Sequence, residues 1–475
     1  MRATVALMGR LRVVLAMLAA ALACAGSASA ASGWTTVTIA ASDATPLACE
    51  YLIPDGTTPA GGWPGVILFH GLGQSYADME PIGSAMAQFG LATLACDARG
   101  TDASGGKFGL DSPRDTQDAQ NLFAWFASRG DVSDTQIGAF GLSLGCGEVW
   151  NAAVAGVPFR AIVPAITWTN LGAALNPDGV PKTGLIAILS RAVPLGNWDP
   201  ALVQAEQDLF QGSVTPAVTS VEAARSSRSH LHALTVPTLL LQGRHDFLFD
   251  MDQAISAWKL LAGPKRLYLG DLGHPPAKNP ANEQPVYIGD AILWFAHYLD
   301  GFGQGGPDDI LLAHDPWNPR QVQTVYTKLP KTRTASVNLP GRALVQGPHY
   351  AFRSARLTGG PHETFGNGSV TVHYSAAKSW THLVATISIQ GGSTVVTEGA
   401  ARIKSSSGVV KIPLMNEAVL LPRGKRLKVR LGATSWDDAY HLGIPVYASL
   451  PPQGASIKIG SATLKLSFLK RTVSK

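Results

Sequence analysis

The sequence predicts an α/β domain on a mostly parallel sheet, interrupted by a helical insertion and followed by an all-β sandwich. Three observations predict it. Short, wholly apolar runs alternate with helical stretches from Val66 to Leu299, the pattern of strands buried on both faces and linked by crossover helices. That rhythm is interrupted between about 168 and 234, where Leu185–Leu189 and Ala201–Ala205 read as helices separated by Pro- and Gly-bearing loops. Beyond Gly301, short alternating runs spaced by turn residues take over. A chain of 475 residues exceeds one ordinary core, so several domains are expected. Apolar content of 46% against 15% charged excludes a disordered chain. The net charge of +5 is dispersed, with no basic stripe and no nucleic-acid motif, so no nucleic-acid partner is expected.

In chain order, Trp34–Ala40 alternates as a strand and Leu47–Pro54 reads as its antiparallel partner. Val66–Phe69 is short and apolar, as a central parallel strand should be, and ends in His70-Gly71-Leu72-Gly73. Ala92–Cys96 follows, ending in Asp97-Ala98-Arg99-Gly100. A helix is expected from about Pro113 to Arg129, with Asp115, Gln117 and Asp118 on its polar side and Leu122, Phe123 and Phe126 on its apolar side. Gln136–Phe140 and Arg160–Ala165 read as buried strands, with a helix over Cys146–Val154 between them. After the insertion come a strand over Thr238–Gly243, a helix over Met251–Leu261, a strand over Arg266–Leu269 and a helix over Val286–Leu299. A Gly/Pro/Asp stretch at 301–320 reads as a linker. Val370–Tyr374, Leu383–Ile389, Arg426–Leu431 and Thr463–Phe468 then belong to a sandwich of about eight strands over 321–475. No tandem repeat is present.

Arg2, Arg10 and Arg12 precede a small and aliphatic run from Val13 to Ala23, and Ala28-Ser29-Ala30 fits a signal-peptidase site. Residues 1–30 are therefore expected to be a cleaved export leader, and the α/β domain to occupy 31–300. Leu22-Ala23-Cys24 offers a competing lipid-anchor reading, although Ala21 stands where a lipoprotein signal prefers leucine. No later stretch is apolar enough to span a membrane. Cys49, Cys96 and Cys146 remain after leader removal. All three read as small buried apolar residues, and an odd number leaves at least one free thiol. No Cys/His spacing matches a zinc site, so neither a metal nor a cofactor is expected.

Gly141-Leu142-Ser143-Leu144-Gly145 sits between a predicted strand and a predicted helix. A Gly-x-Ser-x-Gly turn in that setting lifts a serine hydroxyl above the sheet edge and leaves the following N–H, that of Leu144, at a helix start. Serine is a poor nucleophile unless a histidine takes its proton and a carboxylate orients the histidine. Asp246 follows the next strand, in Gly243-Arg244-His245-Asp246, and His274 follows the one after, in Asp271-Leu272-Gly273-His274. All three fall at C-terminal strand ends, where open α/β sheets build their sites. Ser143 is expected to attack, His274 to shuttle the proton and Asp246 to orient it, with the N–H groups of Leu144 and Leu72 holding an oxyanion. Asp250 and Asp252 are assigned to a helix start, His230 and His232 to the surface, and His70 to propping its loop. His245, on the same loop as Asp246, is assigned elsewhere.

Together with Asp97-Ala98-Arg99-Gly100-Thr101, Ser104-Gly105-Gly106, and Asp115 and Asp118 ahead of Trp125, these motifs resemble the X-prolyl dipeptidyl-peptidase and cocaine-esterase family, which includes α-amino-acid ester hydrolases and glutaryl acylases. Leu421–Leu427 is similar to that family's strand entry in the last domain. The resemblance covers most of the chain after the leader. It implies an α/β-hydrolase domain, a helical cap and a jelly-roll-like sandwich; with the leader, the expectation is an exported serine hydrolase cleaving an ester or amide/peptide bond through an acyl-enzyme, as X-prolyl dipeptidyl-peptidases do, or, as the alternative, a small-ester or acyl-amide hydrolase. Family members commonly carry tyrosine after the nucleophile, and a second tyrosine supplies an oxyanion hydroxyl. Here Leu144 and His70-Gly71-Leu72 stand in those places, so two backbone N–H groups are expected instead. A dipeptidyl-peptidase would also need an anion for the substrate amine. Glu206 and Asp208 are candidates for it, but both read as solvated cap carboxylates. A different class of function, a surface- or carbohydrate-binding protein acting through the sandwich, would use Trp380, Trp436 and Tyr440, residues that otherwise read as packing.

Overall fold

The computed structural model describes residues 33–303, 308–321, 323–436 and 444–470. The expected leader, Cys24 and Tyr440 lie outside them. Ten strands form one sheet: β1 (Thr35–Ala40), β2 (Pro46–Leu52), β3 (Trp63–Phe69), β4 (Ala92–Cys96), β5 (Val132–Leu142), β6 (Ile162–Ala165), β7 (Thr238–Gly243), β8 (Lys265–Gly270), β9 (Ile310–Ala313) and β10 (Gln323–Tyr326), in the order β1-β2-β4-β3-β5-β6-β7-β8-β9-β10. From β4 to β9 every neighbouring pair is parallel, and the edges are antiparallel.

The wholly apolar reading of β3 has a direct packing cause. Val66 and Leu68 face one core with Ile82 and Met86 of α1 (Glu80–Ala87), whereas Ile67 and Phe69 face the other with Leu122 and Phe126 of α2 (Pro113–Ala127). Both faces are covered, so alternation disappears from the sequence. Helix α3 (Leu144–Val154), which follows Ser143, is almost wholly buried. Between β6 and β7 lie α4 (Leu171–Leu175), α5 (Thr183–Leu189), α6 (Pro200–Phe210) and α7 (Pro216–Ala223), the helical cap; α8 (Met251–Leu260) and α9 (Gln284–Asp300) complete the layers.

Two antiparallel sheets follow. One runs β11-β21-β15-β18, with β12 also on β21, and the other runs β13-β20-β16-β17. Their strands are β11 (Thr332–Leu339), β12 (Ala343–Gln346), β13 (Ala351–Arg356), β15 (Gly368–Lys378), β16 (His382–Ile389), β17 (Val395–Arg402), β18 (Gly408–Leu414), β20 (Arg426–Gly432) and β21 (Ser456–Leu469), while β14 (His362–Glu363) and β19 (Leu420–Leu421) pair separately. One apolar cluster, including Val370, Ile387, Val429 and Leu464, fills the space between the two main sheets.

Three expectations need correction. The stretch 301–320 is not simply a linker: Ile310–Ala313, four buried apolar residues, joins β8 as a further parallel strand, and Gln323–Tyr326, expected in the sandwich, pairs with it as the antiparallel edge of the same sheet. The polar side of α2 that carries Asp115 and Asp118 is not turned to solvent: both residues are buried. Asp118 takes two hydrogen bonds from the buried Arg99 guanidinium, at 2.7 and 2.6 Å, and Asp115 caps α2 through the Ser112 N–H at 2.7 Å. Cys49 and Cys96 are not independent apolar residues. The β2/β4 register sets them directly opposite each other, and they form a disulfide, leaving Cys146 free and buried. A cross-link closing a loop of this length restricts the unfolded chain. The Cys49→Ser/Cys96→Ser double variant is expected to lose about 2–4 kcal/mol of stability, read by denaturant unfolding of the oxidised wild type beside it.

Candidate active site

The site is built on the turn from β5 to α3. Ser143 takes φ 51° and ψ −110°, outside the regions open to most L-residues. The turn is held by the Ser143 N–H donating to the Ala165 carbonyl at 2.9 Å and the Gly145 N–H donating to the His70 carbonyl at 3.0 Å. A Cβ at Gly145 would lie 2.4 Å from the Phe69 carbonyl, and one at Gly141 would lie 2.7 Å from Gly145, so larger residues would push the turn off the sheet.

His274 stands four residues beyond β8, on a loop whose Gly273 has φ 121°. A Cβ at Gly273 would sit 2.5 Å from an Asp246 carboxylate oxygen. The Ser143 Oγ to His274 Nε2 distance is 2.9 Å, and His274 Nδ1 is 2.9 Å from Asp246 Oδ2. The Asp246 side chain is fully buried, whereas His274 keeps 15% exposure at the site. Asp246 Oδ1 accepts the N–H groups of Leu248 and Phe249 at 2.9 and 3.0 Å, and Oδ2 also accepts the His274 N–H at 2.9 Å. This leaves His274 Nδ1 to donate to Asp246 and Nε2 to accept from the serine. Phe249 packs edge-on against the imidazole, 5.1 Å between centroids.

Among the described residues, neither the Leu72 nor the Leu144 N–H donates a hydrogen bond, and both residues line the same pocket as Ser143. The Leu72 loop is braced by buried His70, whose Nε2 accepts the Ala98 N–H at 2.9 Å and whose Nδ1 donates to the Gly71 carbonyl at 2.8 Å. Next to it, Asp97 accepts from the N–H groups of Tyr76 and Ala103, and Arg99 binds Asp118, Asp43 and Thr45. The Asp97–Gly100 motif therefore acts as scaffolding for the loop.

The residues set aside fall elsewhere. Asp250 caps α8 through the Asp252 N–H, and His230 and His232 are exposed. His245 packs edge-on against Phe247 and lines a groove separate from the Ser143 pocket. Burial pulls its imidazole pKa down to about 4. Trp380 is buried in the sandwich core; Trp436 is half exposed, with Tyr350 and the Arg430 guanidinium against its ring.

The pocket above Ser143 is walled by Phe108, Trp168 and Phe249 from the sheet side and by Ile186, Leu202 and Val218 from the cap. Two carboxylates, Glu206 and Glu222, interrupt this apolar wall. The solvated reading of Glu206 is thus corrected: only 9% of it is exposed, whereas Asp208 turns outward to Gln204 and Thr215. A signal was present, because Leu202, Ala205, Glu206 and Leu209 form an i, i+3, i+4, i+7 stripe that places Glu206 on the buried side of α6. Glu222 accepts a hydrogen bond from Asn176, and burial raises its carboxyl pKa to about 7. Among the described residues no group of three or more His, Cys, Asp or Glu side chains could hold a metal, and no helix is long and apolar enough to cross a membrane.

The parallel sheet, the serine on its strained strand-to-helix turn and the helical cap define an α/β-hydrolase-like protein. The chain belongs to the X-Pro dipeptidyl-peptidase (S15) family, whose model matches residues 30–276, more than half of its length. It is a hydrolase of the ester or peptide type. No curated protein sequence matches it. Among solved structures, a CocE/NonD family hydrolase from Staphylococcus aureus is similar at TM-score 0.66 and 15% identity, over 91% of this chain and 93% of that one. An aminopeptidase from a marine sediment Thaumarchaeota archaeon is similar at TM-score 0.68 and 12% identity, over 92% and 97%. An α-amino acid ester hydrolase is similar at TM-score 0.65 and 12% identity, over 93% and 98%. These likenesses extend the shared fold through the C-terminal sheets.

Because the folded protein holds the Glu222 proton more tightly than the unfolded chain, this group's contribution to stability is lost as pH rises from the ordinary carboxylate range through about 7. The melting temperature of Glu222→Gln, relative to wild type, is expected to rise between pH 5 and pH 8. An unchanged difference across that range would mean that Glu222 is not held protonated.

Proposed function

We propose that the protein is an exported serine hydrolase that cleaves an ester or amide bond through an acyl-enzyme. The observation that carries this reading is the continuous chain of 2.9 Å contacts from Ser143 Oγ through His274 to Asp246. In the proposed reaction, Ser143 Oγ bonds to the substrate carbonyl carbon while its proton passes to His274 Nε2. The Leu72 and Leu144 N–H groups meet the oxygen on which charge develops, a role in which one donor is worth about 2.7–4 kcal/mol. Asp246 stabilises the imidazolium through the Nδ1–H hydrogen bond. His274 then protonates the leaving alcohol or amine, leaving an acyl-Ser143. Water attacks that ester and gives its proton to Nε2, and as the acyl–oxygen bond breaks Nε2 returns the proton to Ser143 Oγ and the acid is released. The apolar pocket favours an apolar acyl group. Glu206, without a hydrogen-bond partner among the described residues, favours a peptide-type substrate carrying an ammonium, and so supports the peptidase form of the reading beside the esterase form. The expected leader at 1–30 supports export, and the Cys49–Cys96 disulfide fits an oxidising compartment.

Ser143→Ala is expected to abolish hydrolysis of para-nitrophenyl butyrate with an unchanged melting temperature, and Asp246→Asn to slow it roughly 10⁴-fold. Retained turnover in Ser143→Ala sinks the reading. An Ala-Pro-para-nitroanilide assay beside the ester separates the two forms. Peptidase action predicts turnover of the anilide and a raised KM for it in Glu206→Gln.

A further inference from the structure

The loop that carries Asp246 is closed on itself. Its carboxylate takes the Leu248 and Phe249 N–H groups, which leaves the Asp246 N–H and the Phe247 and Leu248 carbonyls without partners inside the loop. Buried backbone groups need partners, and two long side chains from distant segments supply them. Lys182 of the cap donates from Nζ to the Phe247 and Leu248 carbonyls at 2.6 and 3.2 Å. Glu417, on the turn between β18 and β19, accepts the Asp246 N–H at Oε2, 3.1 Å away. Both side chains are 2% exposed.

Flanking residues of the same turn extend the contact. The Ala418 N–H donates to the Arg244 carbonyl at 2.7 Å, and the Met251 N–H donates to the Asn416 carbonyl at 3.2 Å. Asn416 reaches Asp250 through its N–H and Asp252 through its side-chain amide. These contacts tether the sandwich to the α/β domain, but within this turn Glu417 alone is hydrogen-bonded to Asp246.

Resting on the triad reading above, we propose that Glu417 is a positioning residue: the C-terminal sheets use it to hold the Asp246 N–H, and with it the carboxylate, in register with His274. Its Oε1 has no hydrogen-bond partner among the described residues. Burial, with the Asp250 and Asp246 charges nearby, raises the Glu417 pKa. A carboxyl that accepts one N–H at one oxygen can be replaced by a glutamine amide, whose carbonyl offers the same acceptor.

The test uses the full mature chain as wild type, Glu417→Ala, Glu417→Gln and the tether control Asn416→Ala. Hydrogen exchange is read on peptides covering 244–250, and kcat and KM on para-nitrophenyl butyrate. Glu417→Ala is expected to speed exchange across 246–249 at least tenfold and to lower kcat at least tenfold, with KM within about twofold. Glu417→Gln should remain within about threefold of wild type in both. Asn416→Ala should lower the melting temperature without changing kcat. If the alanine variant does not fold, Glu417→Met fills the space without an acceptor and carries the same comparison. Exchange at 246–249 unchanged in the variant lacking an acceptor, or a glutamine variant as impaired as it, overturns the proposal. A wild-type protein without turnover contradicts the triad reading alone, and the exchange data still decide the role of Glu417.

Discussion

The site depends on one buried carboxylate. Asp246 is fully removed from water and receives four hydrogen bonds, three from backbone N–H groups and one from the His274 ring. Buried polar oxygens left without donors are costly, and here both oxygens are satisfied. The same bonds fix which His274 nitrogen carries the proton and turn the other toward Ser143. Removing the carboxylate would release the 246–249 loop, the His274 loop and the imidazole tautomer together.

Around that centre the molecule is arranged in shells. The sheet delivers Ser143, Asp246 and His274 from β5, β7 and β8, and the cap closes an apolar chamber over the serine. The sandwich packs against both. Val384, Met415 and Tyr447 share an apolar cluster with Trp168, Leu185 and Phe249, and the Gly184 N–H donates to the Val446 carbonyl at 3.0 Å. A Cβ at Gly184 would lie 1.8 Å from the Pro445 carbonyl, so the cap lies against the last domain at this point. The C-terminal sheets are thus part of the framework that holds the cap and the acid loop.

The central strands were legible because burial on both faces writes itself as unbroken apolar runs, as in Val66–Phe69. Ser143, Asp246 and His274 were legible because each follows such a run at the end where parallel sheets gather side chains, and the structure brings these three together. Other features depend on pairings that local pattern does not encode. Cys49 and Cys96 meet only because β2 lies beside β4, 47 residues away in sequence. The strand Ile310–Ala313 was hidden by its Gly/Pro-rich surroundings. The burial of Asp118 is not legible on its helix, because its partner, Arg99, comes from another loop. Glu417 carried no signal, since its contact is with the backbone of a residue 171 positions earlier.

The most direct test of the central claim is to treat the folded, mature protein with a fluorophosphonate and locate the adduct by peptide mass spectrometry. An activated serine held by His274 and Asp246 predicts stoichiometric phosphonylation at Ser143, lost in His274→Ala. A folded protein that stays unlabelled, or is labelled at another residue, would contradict it.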